Sequence, residues 1–494
     1  MRATVCVPSR TEERPLGRRL RAPLTRTGMG PRAARRAAKS LGGAAVAVTG
    51  VAGGVDPALR TGDVVVPERV LDAQGRLVRA LPSATLVATR LRRAGFTVST
   101  GPLVSVEHVA TGAERARLRA LGAVAVDMES AWLVATEAPA VVARVVADVA
   151  DDRLLRPTTV RRLRTAVQAL EGLAEPLDAW CAATADRQVW LPEPRSFCAG
   201  VERAIDVVDA LLRRRGAPVF VRKEIVHNQH VVSDLRARGA VFVDDLAEVP
   251  PGATVVFSAH GVSPAVRADA ADRGLDVVDA TCPLVAKVHA EVRRFSDRGD
   301  SVLFIGHAGH EETEGTMGER PDRTVLVETV EDARAVQVAD PARVSYLVQT
   351  TLAAPEVEGI VEVLRERFPR LEAPPSDDIC YATTNRQRAL AAVASRCELV
   401  LVVGSRNSSN SQRLVDTARR LGAEAHLVDD ASDVDLAWLL RAEHVGVTAG
   451  ASAPPALVDQ VLDVLGGLGS LEVRSHRLVD EDVHFTLPKE VRPA

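Results

Sequence analysis

Apolar and polar positions alternate along this chain in a pattern typical of layered α/β proteins. Short runs rich in Val, Ala and Leu are separated by longer stretches rich in Arg, Ala and Glu, as expected for strands and their covering helices. In the first third, such runs predict strands at 44–49, 63–66, 123–126 and 140–146, and helices at 32–41 and 114–121. A helix-like run over 159–180 then ends, and Leu191-Pro-Glu-Pro194 opens a new unit. We therefore predict two domains, 1–185 and 186–494.

The second domain repeats one arrangement of cysteine, helix, strand and polar loop three times. Predicted helices at 199–215, 283–298 and 383–396 each follow a cysteine, namely Cys198, Cys282 and Cys380. One strand later, the polar residues His227, His310 and Ser408 lie 29, 28 and 28 residues after those cysteines. A second strand in each unit ends just before His260, Thr350 and Ser452. This periodicity predicts three similar α/β units, and their cysteines and polar loops would meet if the units surround one axis.

Three such cysteines favour iron–sulfur or metal chemistry. We expect the helix dipole and the free N–H groups of each helix start to lower the pKa of the thiol before it. Three converging thiolates would hold an iron–sulfur cluster or a metal, and a cluster with three protein ligands leaves one iron open. Structural zinc sites pair their cysteines closely, unlike the separations of 84 and 98 residues found in this chain. The alternative is three ordinary buried cysteines, which is our interpretation of Cys6, Cys181 and Cys397.

The polar loops carry mostly neutral hydrogen-bond donors close to helix starts. This composition is typical of a phosphate or diphosphate site built without lysine, although each residue alone could be a cap or turn residue. Glu312 is the single carboxylate in the set, which makes it the natural proton carrier. The candidate residues are His227, His260, His310, Glu312, Thr350, Ser408, Ser409, Asn410 and Ser452.

Composition excludes several classes of function. The net charge of −3 gives no bulk attraction to nucleic acid or to an anionic membrane, and 46% hydrophobic residues exclude a largely disordered chain. No apolar run reaches the ~18–20 residues of a membrane span, and the Arg-rich start lacks the apolar stretch of a secretory signal. Six cysteines in 494 residues are too few for a disulfide framework. These observations predict a cytoplasmic protein.

Residues 187–487 resemble the 4-hydroxy-3-methylbut-2-enyl diphosphate reductase family, which completes the methylerythritol phosphate route to isoprenoids. The matching motifs run in order through the domain. They include Phe197-Cys-Ala-Gly-Val-Glu-Arg-Ala-Ile205, Val226-His-Asn228, Phe257-Ser-Ala-His-Gly-Val-Ser263, Asp279-Ala-Thr-Cys-Pro-Leu-Val285, Gly306-His-Ala-Gly-His310, Glu314-Gly-Thr-Met-Gly318, Gln349-Thr-Thr351, Ile379-Cys-Tyr-Ala-Thr-Thr-Asn-Arg-Gln387, Gly404-Ser-Arg-Asn-Ser-Ser-Asn-Ser411 and Thr448-Ala-Gly-Ala-Ser452.

The resemblance implies a trefoil of three α/β lobes around a [4Fe–4S] cluster held by Cys198, Cys282 and Cys380. It implies reduction of the allylic alcohol to isopentenyl and dimethylallyl diphosphate, with electrons from a donor such as ferredoxin or flavodoxin. It also implies a proton donor in Glu312, catalytic roles for His310 and Thr350, and a hydroxyl end positioned by Thr350. The diphosphate ligands it implies are His227, His260, His310, Ser408, Ser409, Asn410 and Ser452. The alternative from another class is a non-catalytic iron–sulfur or anion sensor, with the N-terminal domain as the catalyst.

The N-terminal domain resembles the purine nucleoside phosphorylase and nucleosidase superfamily. The resemblance rests on Ala44-Ala-Val-Ala-Val-Thr-Gly-Val-Ala-Gly-Gly54, residues 56–66, Val126-Asp-Met-Glu-Ser130 and Arg144-Val-Val-Ala-Asp-Val-Ala-Asp151. It implies that Met128 and Glu129 contact a ribose and that Asp148 protonates a leaving purine. An active phosphorylase with a hopanoid-linked substrate, a nucleosidase and a retained scaffold all remain open.

Overall fold

The computed structural model describes residues 3–149 and 157–492, and Asp151 of the last quoted motif lies outside them. The chain divides into two compact units. The first consists of residues 1–189, 430–445 and 459–474, and the second of residues 190–429, 446–458 and 475–494. Over the described residues, no helix is both long enough and apolar enough to cross a membrane.

The first unit contains a ten-stranded sheet with most of the candidate nucleoside-site residues near its centre. The main strand order is β6-β5-β8-β9-β3-β10-β4-β7, with β1 against β3 and β2 against β1. The strands are β1 Ala3–Val7, β2 Leu24–Arg26, β3 Ala45–Gly54, β4 Val64–Val65, β5 Arg69–Leu71, β6 Leu77–Ala80, β7 Val98–Ser99, β8 Leu103–Ser105, β9 Ala125–Asp127 and β10 Ala140–Asp148. The helices are α1 Arg10–Leu16, α2 Pro31–Ser40, α3 Ala84–Arg93, α4 Gly112–Ala120, α5 Ser130–Leu133, α6 Pro157–Ala169 and α7 Ala174–Ala183.

The predicted strands and helices of this unit are confirmed, and the helix-like run predicted over 159–180 is helical but divided in two. The run forms α6 and α7, joined by a 3₁₀ turn at Leu170–Leu173. Gly172 lies in that turn, where an added Cβ would be only 2.4 Å from the Phe96 ring. A close tertiary contact, which hydrophobic periodicity does not report, therefore coincides with the break in the helix.

Three separate α/β sheets follow in the remainder of the chain, and the predicted α/β architecture is confirmed. Their strand orders are β13-β12-β14-β15, β17-β16-β18 and β20-β19-β21-β11-β22. The strands are β11 Arg187–Glu193, β12 Val219–Arg222, β13 Ala240–Val243, β14 Thr254–Phe257, β15 Asp276–Asp279, β16 Ser301–Ile305, β17 Thr324–Val327, β18 Val344–Val348, β19 Leu399–Val403, β20 Glu424–Val428, β21 His444–Ala449 and β22 Leu471–Arg477. The helices are α8 Ala199–Arg215, α9 Gln229–Ala237, α10 Pro264–Asp272, α11 Pro283–Asp297, α12 Glu311–Met317, α13 Val330–Ala335, α14 Ala354–Arg367, α15 Tyr381–Ala394, α16 Ser409–Arg420 and α17 Pro455–Gly466.

The sheet topology explains why polar residues at a constant distance from each cysteine converge. In the first two of these sheets every neighbouring pair is parallel, and β19 pairs with β20 in the same sense. Each sheet buries apolar side chains in a cluster of its own. Cys397 is one of the buried residues in the cluster that includes residues of β19. Loops at the carboxyl ends of parallel strands are where α/β proteins bind ligands. The candidate polar residues lie in the loops or at the helix starts that come after β12, β14, β16, β18, β19 and β21.

Candidate functional site

Each cysteine of the predicted trio is the N-cap residue of a helix. Cys198, Cys282 and Cys380 cap α8, α11 and α15 with non-helical backbone geometry. Their backbone N–H groups donate to the carbonyls of Ala451, Ala259 and Thr350, at 3.2, 3.0 and 3.0 Å. Each acceptor lies in a polar loop that follows a strand. The same hydrogen bond is thus repeated three times and fixes each cysteine to one loop of the site.

The three thiols line one cavity and form no disulfide. Gly200, in the first turn of α8, lies against two of them. A Cβ added at Gly200 would be 2.7 Å from Cys282 Sγ and 3.9 Å from Cys198 Sγ. Cys380 Sγ accepts a hydrogen bond from the Thr383 N–H at 3.4 Å and contacts Thr383 Oγ1 at 3.2 Å. The predicted convergence of the three cysteines is confirmed.

The expectation that these helix starts lower the thiol pKa is wrong for two of the cysteines. Burial raises the pKa of Cys282 to about 12, and the neighbouring thiols of Cys198 and Cys380 raise it further against the opposing backbone hydrogen bonds. Burial likewise raises the pKa of Cys380 to about 11. Loss of hydration outweighs the helix termini here, so a positive charge at the centre is needed to hold these sulfurs as thiolates.

The three predicted histidines form a compact group, which we call the histidine cradle: His227, His260 and His310. The rings of His227 and His260 stack with centroids 4.0 Å apart, and His310 lies edge-on to them at 5.2 and 5.8 Å. All three line the same cavity as the cysteines. Burial, followed by the neighbouring His260 and His227, lowers the pKa of His310 to about 2, so this ring is neutral across the ordinary pH range.

Two carboxylates that the sequence interpretation missed lie behind the cradle. Glu224 Oε2 is 3.3 Å from His227 Nδ1, and Glu311 Oε2 is 3.1 Å from His260 Nδ1. The spacing of Glu311 from the two histidines is compatible with a metal site, because suitable atoms of His227, His260 and Glu311 all lie within 4.8 Å of one another. The two imidazoles are nearly parallel, however, and a metal must lie in the plane of each ring that binds it. The stacking therefore argues against one shared ion.

Two of the predicted residues, Glu312 and Thr350, are hydrogen-bonded to each other as a buried carboxylate and a hydroxyl. Glu312 is 1% exposed, and its carboxylate accepts the Thr350 N–H at 2.7 Å and the Thr350 hydroxyl at 2.9 Å. Burial raises the pKa of Glu312 against the opposing hydrogen bonds from Thr350. The pair is therefore suited to holding a proton at the cavity wall.

The Ser–Asn loop at the start of α16 completes the ring of donors. Ser408 caps the helix, and Asn410 donates to Thr383 Oγ1 at 3.1 Å while accepting from Ala451 N at 3.0 Å. Ser452 Oγ donates to the His227 carbonyl at 2.9 Å. Among the described residues, Ser409 Oγ and His227 Nε2 are buried with no hydrogen-bond partner. Such polar atoms are costly to bury unless a ligand satisfies them.

One wall of the cavity comes from the end of the described chain. Phe485 lines the cavity, while Leu487 and Val491 pack into the core around α8. The segment is anchored by Glu481, which accepts from Asn385 Nδ2 at 3.0 Å and pairs with the buried Arg386 at 3.3 Å. No periodic signal in the sequence marks this segment as part of the site.

In the first unit, the tentative residues Met128, Glu129 and Asp148 line one cavity of about 350 Å³. Glu129 is buried, accepts the Gly30 N–H at 2.8 Å and pairs with Arg144 at 3.3 Å. Burial raises the pKa of Glu129, and the charge of Arg144 opposes that shift. Acidic residues therefore line this cavity, and one of them, Glu129, is paired with the buried guanidinium of Arg144.

Two contacts in this cavity were missing from the sequence interpretation. Glu12 Oε1 accepts the backbone N–H of Val51 at 2.9 Å, at the Gly-rich end of β3. Gly50 is required there, because it has a φ of 135° and a Cβ would be 2.8 Å from Glu12 Oε1. Asp148 is paired with the buried Arg115.

Comparison with known proteins places both parts of the chain. The LytB protein family matches residues 189–466, and the phosphorylase superfamily matches residues 19–177. A protein of Mycobacterium tuberculosis named 4-hydroxy-3-methylbut-2-enyl diphosphate reductase 1 is 59% identical over 314 residues, which are 63% of this chain and 95% of that protein. The enzyme so named from Nocardia farcinica is 56% identical over 62% of this chain and 91% of its own length.

A solved structure gives the same result. The E-1-hydroxy-2-methyl-but-2-enyl-4-diphosphate reductase of Plasmodium falciparum is similar with a TM-score of 0.60 and 35% identity, over 62% of this chain and 97% of that chain. The match of residues 189–466 covers more than half of the sequence. The chain therefore belongs to the LytB protein family, whose members depend on iron–sulfur chemistry.

Proposed function

We propose that the domain at 186–494 reduces 4-hydroxy-3-methylbut-2-enyl diphosphate to isopentenyl diphosphate and dimethylallyl diphosphate. The observation that carries the proposal is the single cavity in which three N-cap cysteines meet the histidine cradle and the Glu312–Thr350 pair. The names of the similar reductases support the same substrate. Taken over the whole reaction, the alcohol gains two electrons and two protons, its C–O bond breaks and water leaves.

Cys198, Cys282 and Cys380 would hold a [4Fe–4S] cluster. Two observations support this fit. The three thiols line one cavity, and each belongs to the residue at the N-terminus of a helix. Gly200 has no side chain to fill the space beside the sulfurs of Cys198 and Cys282. The raised pKa values of Cys282 and Cys380 agree with thiols whose ionisation depends on a bound cation. When bound, the cluster supplies electrons and an iron with an open coordination position.

The hydrogen-bond donors of the polar loops around the cavity would bind the diphosphate. The unpartnered His227 Nε2 and Ser409 Oγ support this role, because a phosphate oxygen would accept from Ser409 Oγ, and from His227 Nε2 once that nitrogen carries a proton. The helix start of α16 adds N–H groups that favour an anion. The full set that we assign is His227, His260, His310, Ser408, Ser409, Asn410 and Ser452.

Glu312 would provide the proton that converts the departing hydroxyl into water. Thr350 Oγ1 lies 2.9 Å from Glu312 Oε2, so it can orient the substrate hydroxyl and pass the proton to it. His310 stands next to this pair, since its Nδ1 accepts the Glu312 N–H at 3.2 Å. The ring thereby fixes the backbone from which Glu312 projects.

The test is anaerobic turnover of 4-hydroxy-3-methylbut-2-enyl diphosphate by cluster-reconstituted full-length protein with a chemical reductant. Formation of the two five-carbon diphosphates supports the proposal. An intact four-iron spectrum without turnover refutes it and favours a sensor that binds the anion without reducing it. Ferredoxin or flavodoxin as the natural donor and a cytoplasmic location remain predictions.

For the domain at 1–185 we propose hydrolysis of a purine nucleoside. Water is favoured over phosphate as the co-substrate, because Glu12 accepts the Val51 N–H and the cavity is lined by four carboxylates and one guanidinium, that of Arg115. The carboxylates are those of Glu12, Asp127, Glu129 and Asp148. Met128 and Glu129 would contact the ribose, and Asp148 would protonate the leaving purine. Release of free purine from 5′-modified adenosines at a rate independent of phosphate supports this proposal, whereas a strict need for phosphate refutes the hydrolytic assignment.

A further inference from the structure

Hydrogen-bond partners determine which ring nitrogen carries the proton in each imidazole of the cradle. The Nδ1 atoms of His227 and His260 face the carboxylates of Glu224 and Glu311. An ionised carboxylate only accepts hydrogen bonds, so each of these Nδ1 atoms must donate. A neutral imidazole with a proton on Nδ1 has a lone pair on Nε2.

His310 has the opposite arrangement. Its Nδ1 accepts the backbone N–H of Glu312 at 3.2 Å, and therefore carries no proton. The neutral ring then carries its proton on Nε2 and can donate to an anion without further change. His310 can thus donate from Nε2 to a phosphate oxygen, whereas His227 and His260 present Nε2 lone pairs to it.

A diphosphate above the second pKa of its terminal phosphate, about 6, offers acceptors almost exclusively. His227 Nε2 and His260 Nε2 can hydrogen-bond to it only when they carry an additional proton. We propose that binding of a diphosphate is coupled to proton uptake at His227 and His260, with Glu224 and Glu311 as the positioning residues that impose it. The inference rests on the proposed function, because it takes the cradle as the diphosphate site.

The surroundings of the two rings agree with this coupling. Burial, followed by the charge of His260, lowers the pKa of His227, so the ring is neutral before an anion arrives. Both carboxylates have lowered pKa values. The pKa of Glu224 is lowered first by its hydrogen bond to His227. Burial raises the pKa of Glu311, but the hydrogen bond to His260 and the charges of His260, His227 and Lys223 together lower it. Glu224 and Glu311 are therefore ionised acceptors at neutral pH.

Several other polar and charged groups face these rings and carboxylates. Lys223 acts on Glu311, Asn407 donates to Glu224 at 2.8 Å, and His310 and Glu312 act on the rings. Ser258 donates to Glu311 at 3.3 Å. At His227 Nδ1 the other neighbour is Asn407 Nδ2 at 3.3 Å, which can only donate, and at His260 Nδ1 it is Ser258 Oγ at 3.5 Å, farther away than Glu311. The carboxylates of Glu224 and Glu311 therefore remain the acceptors that fix the protons on Nδ1.

The experiment is isothermal titration of the cluster-loaded full chain with inorganic pyrophosphate at pH 8, in two buffers of different ionisation enthalpy. The difference in heat gives the number of protons taken up per ligand, and subtraction between variants removes the ligand's own protonation. In Glu311→Gln, the amide can donate to His260 Nδ1, which frees Nε2 to carry the proton of the neutral ring. We expect uptake of about two protons in the wild type and about one in Glu311→Gln and in Glu224→Gln.

The matched control is Glu314→Gln, since Glu314 is an exposed carboxylate in the same helix. It should keep both the wild-type uptake and the wild-type affinity, whereas Glu311→Gln should weaken binding about tenfold through loss of the charged partner. Equal uptake in Glu311→Gln and the wild type overturns the inference and leaves the diphosphate site intact. Failure of the wild type to bind pyrophosphate overturns the proposed function itself.

Discussion

Replacing Glu312 by glutamine removes an exchangeable proton from the cavity while almost preserving its shape. The side chain is buried, and its carboxylate accepts two hydrogen bonds from Thr350. The glutamine oxygen can keep the 2.7 Å contact with the Thr350 N–H, so the loop stays in place. The glutamine amide then faces Thr350 Oγ1 as a donor, and the hydroxyl can no longer receive a proton from this side chain.

Loss of a positioned general acid costs a factor of about 10²–10⁴ in rate, and we expect kcat to fall within that range. The assay is anaerobic turnover with a chemical reductant, together with the iron content and visible spectrum of the cluster. Glu314→Gln serves as the control because Glu314 is exposed on the same helix, and it should keep its activity within about twofold. A Glu312→Gln variant with a normal cluster and more than a tenth of wild-type kcat would refute the assigned role.

Three further predictions concern the remaining parts of the protein. Gly200→Ala should lower the amount of iron bound per chain, because its Cβ would lie 2.7 Å from Cys282 Sγ. Gly359→Ala is the control and should leave the iron content unchanged, because its Cβ would lie 3.9 Å from the nearest atom, Val330 Cγ2. His310 takes up a proton below pH 6.5 in the unfolded chain but only near pH 2 in the folded chain. The free energy of unfolding of the cluster-free protein should therefore fall as the pH drops below 6.5. The contribution of His310 to this fall is at most about 1.4 kcal/mol per pH unit. His310→Asn should flatten this pH dependence in urea titrations, and an unchanged slope would contradict the assignment. Asp148→Asn should reduce purine release from 5′-modified adenosines by about 10²-fold or more in a coupled absorbance assay, and equal rates would exclude it as the acid.

The threefold part of the site could be predicted because it follows from chain-local regularities. The spacing from each cysteine to its first polar loop reflects one helix and one strand of nearly constant length. Parallel pairing then brings the strand ends to one edge of a sheet. His227, His310 and Ser408 were therefore found from spacing alone, and the three repeated backbone hydrogen bonds of the cysteines explain why the pattern is so regular.

The parts that escaped prediction depend on contacts between distant residues. Glu311 is next to a predicted residue, yet its role depends on His260, which lies 51 positions away. The pairing of Asp148 with Arg115 spans 33 positions and follows no period. The expected fall in thiol pKa failed because helix termini are visible in sequence, whereas the degree of burial around Cys282 is not.

The wall formed by Phe485 has a consequence for the order in which the molecule is made. Its anchors at Glu481, Leu487 and Val491 lie close to Phe485 in sequence, so the wall is added late. At about 5–20 residues per second, the ribosome adds Phe485 roughly 15–60 s after Cys198. The cavity therefore stays open on this side during most of the synthesis of its domain, and the nascent chain passes through a stage in which all three cysteines are present before the last wall can close over them.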